Sequence, residues 1–218
     1  MDAMSGQPAA RPRRFQFVAG ALCLDFCNTV GSTRGKSARE YLNSYADLVA
    51  WSEQAGLLIR ALAEALARRA AGQAGDSTAA LKRATELREA IYRIFTAILD
   101  RTNPAASDLA RLNEELSRSL GRLRVAPSKR GFTWAWTNGQ ESLEAPLGPI
   151  ARSAAELLTS AHSLGHLRQC AGDTCGWLFV DATKNHSRRW CDMRDCGNRA
   201  KVRRHRLKQR GAKSVRRR

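Results

Sequence analysis

The sequence predicts an α+β protein that is mostly helical, with a small β-hairpin in a helical body and a small module of hairpin plus basic helix behind it. Three observations predict this arrangement. Apolar residues recur at helical spacing through most of residues 44–167, one segment between 123 and 136 alternates as strands do, and four paired cysteines precede a strongly basic end. A chain of 218 residues is long enough for one substantial domain with an appendage, or for two small ones.

The N-terminal half of the body is predicted to hold one short strand and three helices. Residues 1–14 lack an apolar core and are interpreted as a disordered leader. FQFV (Phe15–Val18) is predicted as the strand and Ala21–Val30 as a short buried helix, with a loop over 31–40. The second helix starts after Ser44 as N-cap and stops at Gly56, and the third covers Ile59–Ala71.

The C-terminal half of the body is predicted to hold three more helices and a hairpin. After a turn at GQAGDS, Asp76 or Ser77 caps a helix that runs to about Arg101. Asn103-Pro104 ends it, because proline cannot continue the helical hydrogen-bond ladder. The next helix spans about 106–120, with a leucine stripe at Leu109, Leu112, Leu116 and Leu120. Alternating residues 123–125 and 132–136 predict the hairpin, and a last apolar helix spans about 149–167.

Positive charge is concentrated at the C-terminal end of the chain. The formal net charge is +17, and residues 182–218 hold 15 of the 37 Lys+Arg beside only Asp192 and Asp195. A basic end on a nearly neutral body indicates a polyanionic partner, with nucleic acid favoured over an anionic membrane. The sequence has no apolar run that could span a bilayer, and the expected location is the cytoplasm. In that compartment cysteines are thiols or metal ligands more often than disulfides.

Four cysteines form the pattern C-x4-C-x15-C-x4-C. Zinc takes four ligands in a tetrahedron, and thiolates suit it because they are soft, anionic and compact. The spacing leaves room for a hairpin with a strand at Trp177–Asp181 and a turn at Thr183–Ser187. One structural Zn²⁺ is favoured over unliganded buried cysteines and over a disulfide or redox pair, with His186 and His205 as lesser alternative ligands. The four cysteines are Cys170, Cys175, Cys191 and Cys196.

The basic stretch behind the last cysteine is predicted to form a helix over Asn198–Gln209. Arg199, Arg203 and Arg206 would share one face, and Lys201, Arg204 and Lys208 another. Such a density of like charge repels itself unless a polyanion neutralises it, so nucleic-acid contact is favoured over a solubilising tail or a lipid surface. Arginine can pair with guanine edges or with phosphate, and the sequence does not separate these roles. Residues 211–218 are interpreted as a basic disordered tail.

The stretch RRWCDMRDCGNRAKVRRHR resembles the CGNR zinc-finger family of bacterial proteins, and the resemblance extends upstream through LRQCAGDTCGWLFVDATKNHSRRWC. ALCLDFCNTVGSTRG and LVAWSEQAGLL are similar to ABATE, the stress-sensor domain that precedes this finger. The resemblance implies a sensor domain over 15–165, a finger over 166–210, and a DNA-binding, stress-induced transcription regulator whose body senses a small molecule. It makes the four paired cysteines the zinc ligands.

The same resemblance implies contact residues in both parts of the chain. In the finger it implies five candidate DNA contacts: Arg188, Arg189, Asn198, Arg199 and Lys201. The basic helix adds Arg203 and Arg204 as further candidates. In the body it gives the polar positions of the sensor motif, Asp25, Asn28, Thr29 and Arg34. The residues alone leave two readings of these polar groups open, an internal hydrogen-bond network or the lining of a ligand pocket.

Other readings remain beside the leading one. In one alternative, the same basic finger binds RNA or the ribosome and recognises its shape rather than its base edges. An enzyme in the body is disfavoured, because HExxH, GxSxG and P-loop patterns are missing from the sequence. Cys23 and Cys27 share a helical face and are interpreted as core residues, with thiol sensing as the alternative, and Trp51, Trp134 and Trp136 are also interpreted as core. A homodimer is an open expectation.

Overall fold

Seven helices build the body in the computed structural model, which describes residues 14–31, 38–137 and 141–215. The described helices are α1 Leu22–Cys27, α2 Tyr45–Gln54, α3 Arg60–Gly72, α4 Ala74–Leu99, α5 Ala106–Leu120, α6 Leu147–Thr159 and α7 Ala161–Gly165. Three two-stranded antiparallel sheets accompany them. They pair β1 (Val30–Gly31) with β2 (Arg39–Glu40), β3 (Leu123–Ser128) with β4 (Gly131–Trp136), and β5 (Leu167–Gln169) with β6 (Leu178–Val180). The predicted α+β, mostly helical fold is confirmed.

The long helix α4 lies at the centre of the core. Leu87, Ile91, Ile94 and Phe95 are fully buried along one face, as the helical stripe predicts, and α1, α2, α3, α5 and α6 all pack against this helix. Burying each such side chain contributes about 1.5–3 kcal/mol. The start of α2 is also confirmed. Ser44 and Asp47 form a reciprocal capping box, in which each side chain accepts a hydrogen bond from the other residue's backbone amide.

The structure differs from the sequence-based expectation at five places in the body. The segment predicted as a loop over 31–40 ends in β2, which pairs with Val30–Gly31. Phe15–Val18 forms no strand. The turn predicted at GQAGDS is a single residue, Gln73, since α4 already begins at Ala74. The helix predicted over 149–167 breaks at Ser160, whose hydroxyl caps α7 by accepting a hydrogen bond from the amide of Ser163. Of the four leucines in α5 only Leu112 is buried.

The buried side of α5 is partly ionic, which explains the exposed leucines. Asp108 and Glu115 are 6% and 4% exposed and pair with Arg93 and Arg83 of α4 at 2.6 Å and 2.7 Å. Ser119 adds a hydrogen bond from its hydroxyl to Glu115. Because these ion pairs occupy the α4-facing side, the leucine periodicity does not mark the inner face of this helix.

The predicted hairpin is confirmed: β3 and β4 pair over residues 123–136. Its ladder has six residue pairs, and every second pair shares one face. Three apolar pairs lie on the same face: Leu123–Trp136, Val125–Trp134 and Pro127–Phe132. Phe132 and Trp134 are 78% and 53% exposed, and the Arg152 guanidinium lies over the Trp134 ring. Trp134 is therefore not a core residue, whereas Trp51 is.

The C-terminal module begins with β5 and ends in α8 (Asn198–Val215). The strand predicted over 177–181 exists, but it pairs upstream with Leu167–Gln169 rather than within the 15-residue spacer. Residues 211–215 continue α8 where a disordered tail was predicted, and the predicted leader falls on residues 1–13, outside the described ones, apart from Arg14. Leu178, Phe179 and the four paired cysteines belong to the same buried cluster as the core of the body.

Candidate functional site

The four predicted metal ligands lie together in one buried cluster. The thiol sulfurs of Cys170, Cys175, Cys191 and Cys196 are all within 4.8 Å of one another, and the side chains are 2–7% exposed. Two of the sulfur–sulfur distances are 3.5 Å for Cys175–Cys191 and 3.6 Å for Cys191–Cys196. In the described part of the chain this is the one group of at least three Cys, His, Asp or Glu side chains that could hold a metal ion.

The geometry of this cluster fits zinc. Four thiolates at about 2.3 Å from a central Zn²⁺ stand about 3.8 Å from one another in a tetrahedron, close to the separations observed. Without a cation the sulfurs cannot all be thiolates. The hydrogen bond to Cys170, together with burial, raises the pKa of Cys175 above its usual range. The cluster is consistent with one structural zinc ion, and four thiolates close its coordination shell, which suits folding and not catalysis.

Local backbone structure brings the two cysteine pairs together. The first pair occupies the turn between β5 and β6, where the Cys170 amide donates to the Trp177 carbonyl at 2.8 Å. Gly172 is tightly placed there, since an added Cβ would lie 3.3 Å from the sulfur of Cys196. In the second pair, Cys191 precedes one wide turn of π-helix, Met193–Gly197, and Cys196 lies within it; this turn runs directly into α8. The amide of Cys191 donates to the sulfur of Cys170 at 3.2 Å and ties the two turns together.

Arg199 connects the cysteine cluster to the basic helix. Its guanidinium donates to the sulfur of Cys196 at 3.1 Å and pairs with Asp195 at 3.2 Å. A cation beside a thiolate offsets the excess negative charge that four cysteinates carry around one Zn²⁺. Arg199 was predicted as a nucleic-acid contact, and the structure places it as a support of the metal centre at the base of α8.

Exposed cations of the finger lie on α8 and on the loop and π-helical turn before it. Arg189 and Arg194 are exposed, as are five basic side chains of α8: Arg199, Lys201, Arg203, Arg204 and Arg206. Arg203 pairs with Asp173 beside the first cysteine turn. The predicted contact Asn198 begins the helix and donates to the Arg194 carbonyl at 3.0 Å. In the described part of the chain Lys201, Arg204 and Arg206 have no carboxylate partner.

Arg188 differs from the other predicted contacts, because its guanidinium is engaged inside the molecule. It donates to the carbonyls of Val18 at 2.8 Å, Trp190 at 3.0 Å and Cys191, and it lies over the Phe179 ring. The backbone amide of Arg188 donates to the buried Asp181. Burial opposes ionisation of Asp181, but hydrogen bonds from Thr183 and Arg188 lower its pKa to about 2. Arg188 therefore joins finger and body.

Asn28 of the sensor motif makes the most direct bond between body and finger. Its side-chain amide donates to the Leu178 carbonyl at 2.9 Å, and its side-chain oxygen accepts from the Leu178 amide at 3.0 Å. Asn28 thus takes the place of a neighbouring strand on the free edge of β6. The Trp177 indole donates to the Val30 carbonyl, and the Tyr92 hydroxyl donates to the Gly176 carbonyl. The finger is held by the body at several points.

The other sensor-motif residues have internal partners as well. Asp25 accepts hydrogen bonds from the amides of Val18 and Ala19 at 2.9 Å, which occupies the backbone that was predicted as a strand. Burial raises the pKa of Asp25 to about 6. Thr29 accepts from Arg88, a buried arginine of α4 that also makes a two-point ion pair with Glu40 at 2.6 Å and 2.8 Å. Arg34 lies outside the described residues.

The motif residues line a cleft between the body and the finger. The cleft has a volume of about 480 Å³, and Asp25, Asn28 and Thr29 form part of its wall opposite Cys175 and Arg199. Both readings of the sensor motif are thus compatible with its position. Cys23 and Cys27 are fully buried below it, and burial raises the pKa of Cys23 to about 12, as expected for core thiols.

Sequence reasoning missed several residues on which the site depends. Arg88 and Asp181 are buried charges. Arg88 pairs with Glu40 of β2, and Asp181 accepts hydrogen bonds from Thr183 and Arg188 in the loop that follows it. A charged residue in the buried stripe of α4 was the available signal for Arg88, since charges are rarely buried unless paired. Arg39, in β2 of the body, lines the cleft with no such signal in the sequence.

Comparison with known protein families gives two matches in chain order. Residues 20–161 match the family ABATE, described as "Putative stress-induced transcription regulator", and residues 166–209 match the CGNR zinc finger. These are regulator and zinc-finger families rather than enzyme families. No curated protein matches the chain. Among the described residues, no helix combines the length and apolarity that crossing a bilayer requires.

Proposed function

Because the chain belongs to the ABATE family and carries a CGNR zinc finger behind that domain, we propose that it is a zinc-dependent DNA-binding transcription regulator whose body responds to a small molecule. The body is assigned to residues 15–165 and the finger to 166–210. The chain acts by binding rather than by catalysis, and it works in the cytoplasm, where thiolates stay reduced and DNA is accessible. Self-association stays a prediction.

The observation that carries this proposal is the exposed, unpaired positive charge on α8. Lys201, Arg204 and Arg206 protrude from a helix whose first turn is fixed by the cysteine cluster. Like charges held this close cost free energy unless a polyanion neutralises them, and DNA presents one phosphate charge per roughly 1.7 Å of helix axis. A helix of this width fits the major groove of B-DNA.

Zinc serves this function by holding the start of α8 against the β5–β6 turn. The four proposed ligands are Cys170, Cys175, Cys191 and Cys196, whose thiolates would bind the ion and whose backbone would thereby fix the first turn of the basic helix. Structural zinc sites supply folding free energy to the module that carries them. Removal of zinc should therefore abolish binding by unfolding the finger, with no effect on the charge of α8.

The proposed nucleic-acid contacts are side chains of the finger that are exposed. Arg189, Asn198, Lys201, Arg203 and Arg204 are proposed as contacts. Arg188 is proposed as a positioning residue, since its guanidinium is bonded to backbone carbonyls of the body and the finger. Arg199 is proposed as a contact as well, since its side chain is 61% exposed although it also bonds to Cys196 and Asp195.

Binding of the zinc-loaded chain to a duplex DNA fragment tests the proposal, with fluorescence anisotropy as the readout. A double variant, Lys201→Gln with Arg204→Gln, should weaken binding at least tenfold and reduce the salt dependence by about two phosphate equivalents. The matched control, Arg60→Gln with Lys82→Gln, removes two exposed cations from the body and should leave affinity unchanged. Chelation of zinc should abolish binding.

A structured RNA of the same length, measured at the same salt concentration, distinguishes the alternative partner. The proposal expects tighter binding to the duplex DNA. Equal or tighter binding to RNA would favour an RNA-binding or ribosome-associated function. Equal losses for the α8 variant and the body control would contradict the proposed interface.

A further inference from the structure

The cleft between the body and the finger has the features of a built binding site. Its volume of about 480 Å³ lies in the range of small-molecule pockets, and its walls come from both parts of the chain. Arg14, Gly31 and Arg39 lie on the body side, and Thr174, Asp195 and Arg199 lie on the finger side.

Positive charge in this cleft exceeds what its carboxylates neutralise. Of the two acidic residues in the wall, Asp195 pairs with Arg199, and Asp25 accepts two backbone amides and faces Arg188. No carboxylate of the wall neutralises the other two arginines, Arg14 and Arg39. Neither has a carboxylate partner within the described ranges, and Arg39 lies over the Tyr41 ring.

A second, independent observation also indicates a missing ligand. Trp51 lines the cleft and is fully buried, yet its indole N–H has no hydrogen-bond acceptor among the described residues. A buried donor without a partner costs about 1–3 kcal/mol. An acceptor bound in the cleft within reach of this N–H would remove that penalty, and an anion would at the same time neutralise Arg14 and Arg39.

The rest of the wall indicates the shape of such a ligand. Phe15, Tyr41 and Trp177 add aromatic surface beside Trp51. Aromatic walls bind planar apolar groups, while the few polar groups fix orientation. We propose that the cleft binds a small organic anion with a planar apolar body, held by Arg14, Arg39 and the Trp51 N–H. The inference rests on the sensing role in the proposed function and names the chemical class of the ligand.

Arg199 links this cleft to the metal centre and to α8. The same guanidinium lines the cleft, pairs with Asp195 and donates to the sulfur of Cys196. An anion in the cleft competes with Asp195 for that guanidinium. The proposal therefore expects ligand binding to weaken the Asp195–Arg199 pair at the first turn of α8, the helix that presents the basic side chains.

Calorimetric titration of the zinc-loaded full chain tests the site with aromatic probes of different charge. The probes are 2-naphthoate and benzoate as anions, 2-naphthamide as the neutral counterpart and 2-naphthylmethylammonium as the cation. The expected result is one-to-one binding of the anions, with the neutral and cationic probes at least tenfold weaker. Arg39→Gln and Arg14→Gln should each weaken 2-naphthoate about tenfold, and Trp51→Phe about fivefold, because charge-assisted bonds contribute more than neutral ones. The surface control Arg60→Gln should bind as the wild type does.

The site proposal is overturned if neither anion binds at millimolar concentration, if 2-naphthamide binds equally well, or if Arg39→Gln changes nothing. Duplex-DNA affinity is measured on the same protein with and without saturating 2-naphthoate. A change of at least twofold supports the Arg199 link, and unchanged affinity overturns it. If the protein binds DNA but no anion, only the proposal of an anion site in the cleft is overturned. If it binds the anion but no DNA, only the proposed DNA-binding function is overturned.

Discussion

Replacement of Asn28 by alanine tests whether the finger is built into the body. The Asn28 side chain is 3% exposed and makes both hydrogen bonds to the backbone of Leu178, at 2.9 Å and 3.0 Å. Asn28→Ala leaves a buried N–H and a buried carbonyl without partners, each at a cost of about 1–3 kcal/mol. The free energy of unfolding should therefore fall by about 2–5 kcal/mol, with water entry into the site giving the lower value.

Urea denaturation of the zinc-loaded chain, followed by tryptophan fluorescence and far-UV circular dichroism, measures this loss. Wild-type protein should unfold in one transition, because the cysteine cluster and the body share a buried core. Asn43→Ala is the matched control, since Asn43 is exposed and makes a single long bond to the Glu40 carbonyl at 3.4 Å. A loss below about 0.5 kcal/mol for Asn28→Ala, or an equal loss for the control, would refute the reasoning.

Three further predictions concern buried charge and thiols. Arg88→Met should lower the free energy of unfolding in urea by about 2–4 kcal/mol, because it leaves the Glu40 carboxylate without its ion-pair partner. An unchanged free energy of unfolding would contradict a stabilising buried ion pair. Burial raises the pKa of Asp25 from 3.8 to about 6. Ionisation of this buried carboxyl therefore lowers the free energy of unfolding, and the loss is complete once pH has risen through 6. At pH 8 the free energy of unfolding of Asp25→Asn, measured by urea denaturation, should exceed that of the wild type by up to about 3 kcal/mol. The difference should narrow toward pH 5, and a difference that does not change with pH would contradict this explanation. The disulfide reagent DTNB should label no cysteine of the native zinc-loaded protein, four after chelation and all six in denaturant; early labelling of Cys23 or Cys27 would indicate an accessible sensing thiol.

The parts of the fold that depend on local pattern were predictable from the sequence. The stripe of α4, the capping box at Ser44 and the β3–β4 hairpin each follow from residues close in the chain. The four-cysteine cluster was also predictable, although its members span 27 positions, because thiol pairs at fixed spacing have few other structural uses.

The parts that depend on distant partners were not predictable. Phe15–Val18 has strand-like residues, but the Asp25 carboxylate binds the Val18 amide and that of the next residue. The partner of β6 was misplaced because a three-residue strand carries too little pattern to choose between neighbours. Asn28 gave no sign that it would pair with a backbone 150 positions away.

Genome-wide occupancy of the full chain in living cells tests the central claim most directly. It should be compared with that of the Lys201→Gln, Arg204→Gln variant, after the purified variant has been shown to keep zinc and the wild-type unfolding curve. The account predicts discrete DNA sites for the wild type that disappear in the variant, because α8 supplies the contacts while the zinc centre and body stay intact. An unchanged pattern in the variant, or a diffuse or RNA-associated signal for the wild type, would contradict it.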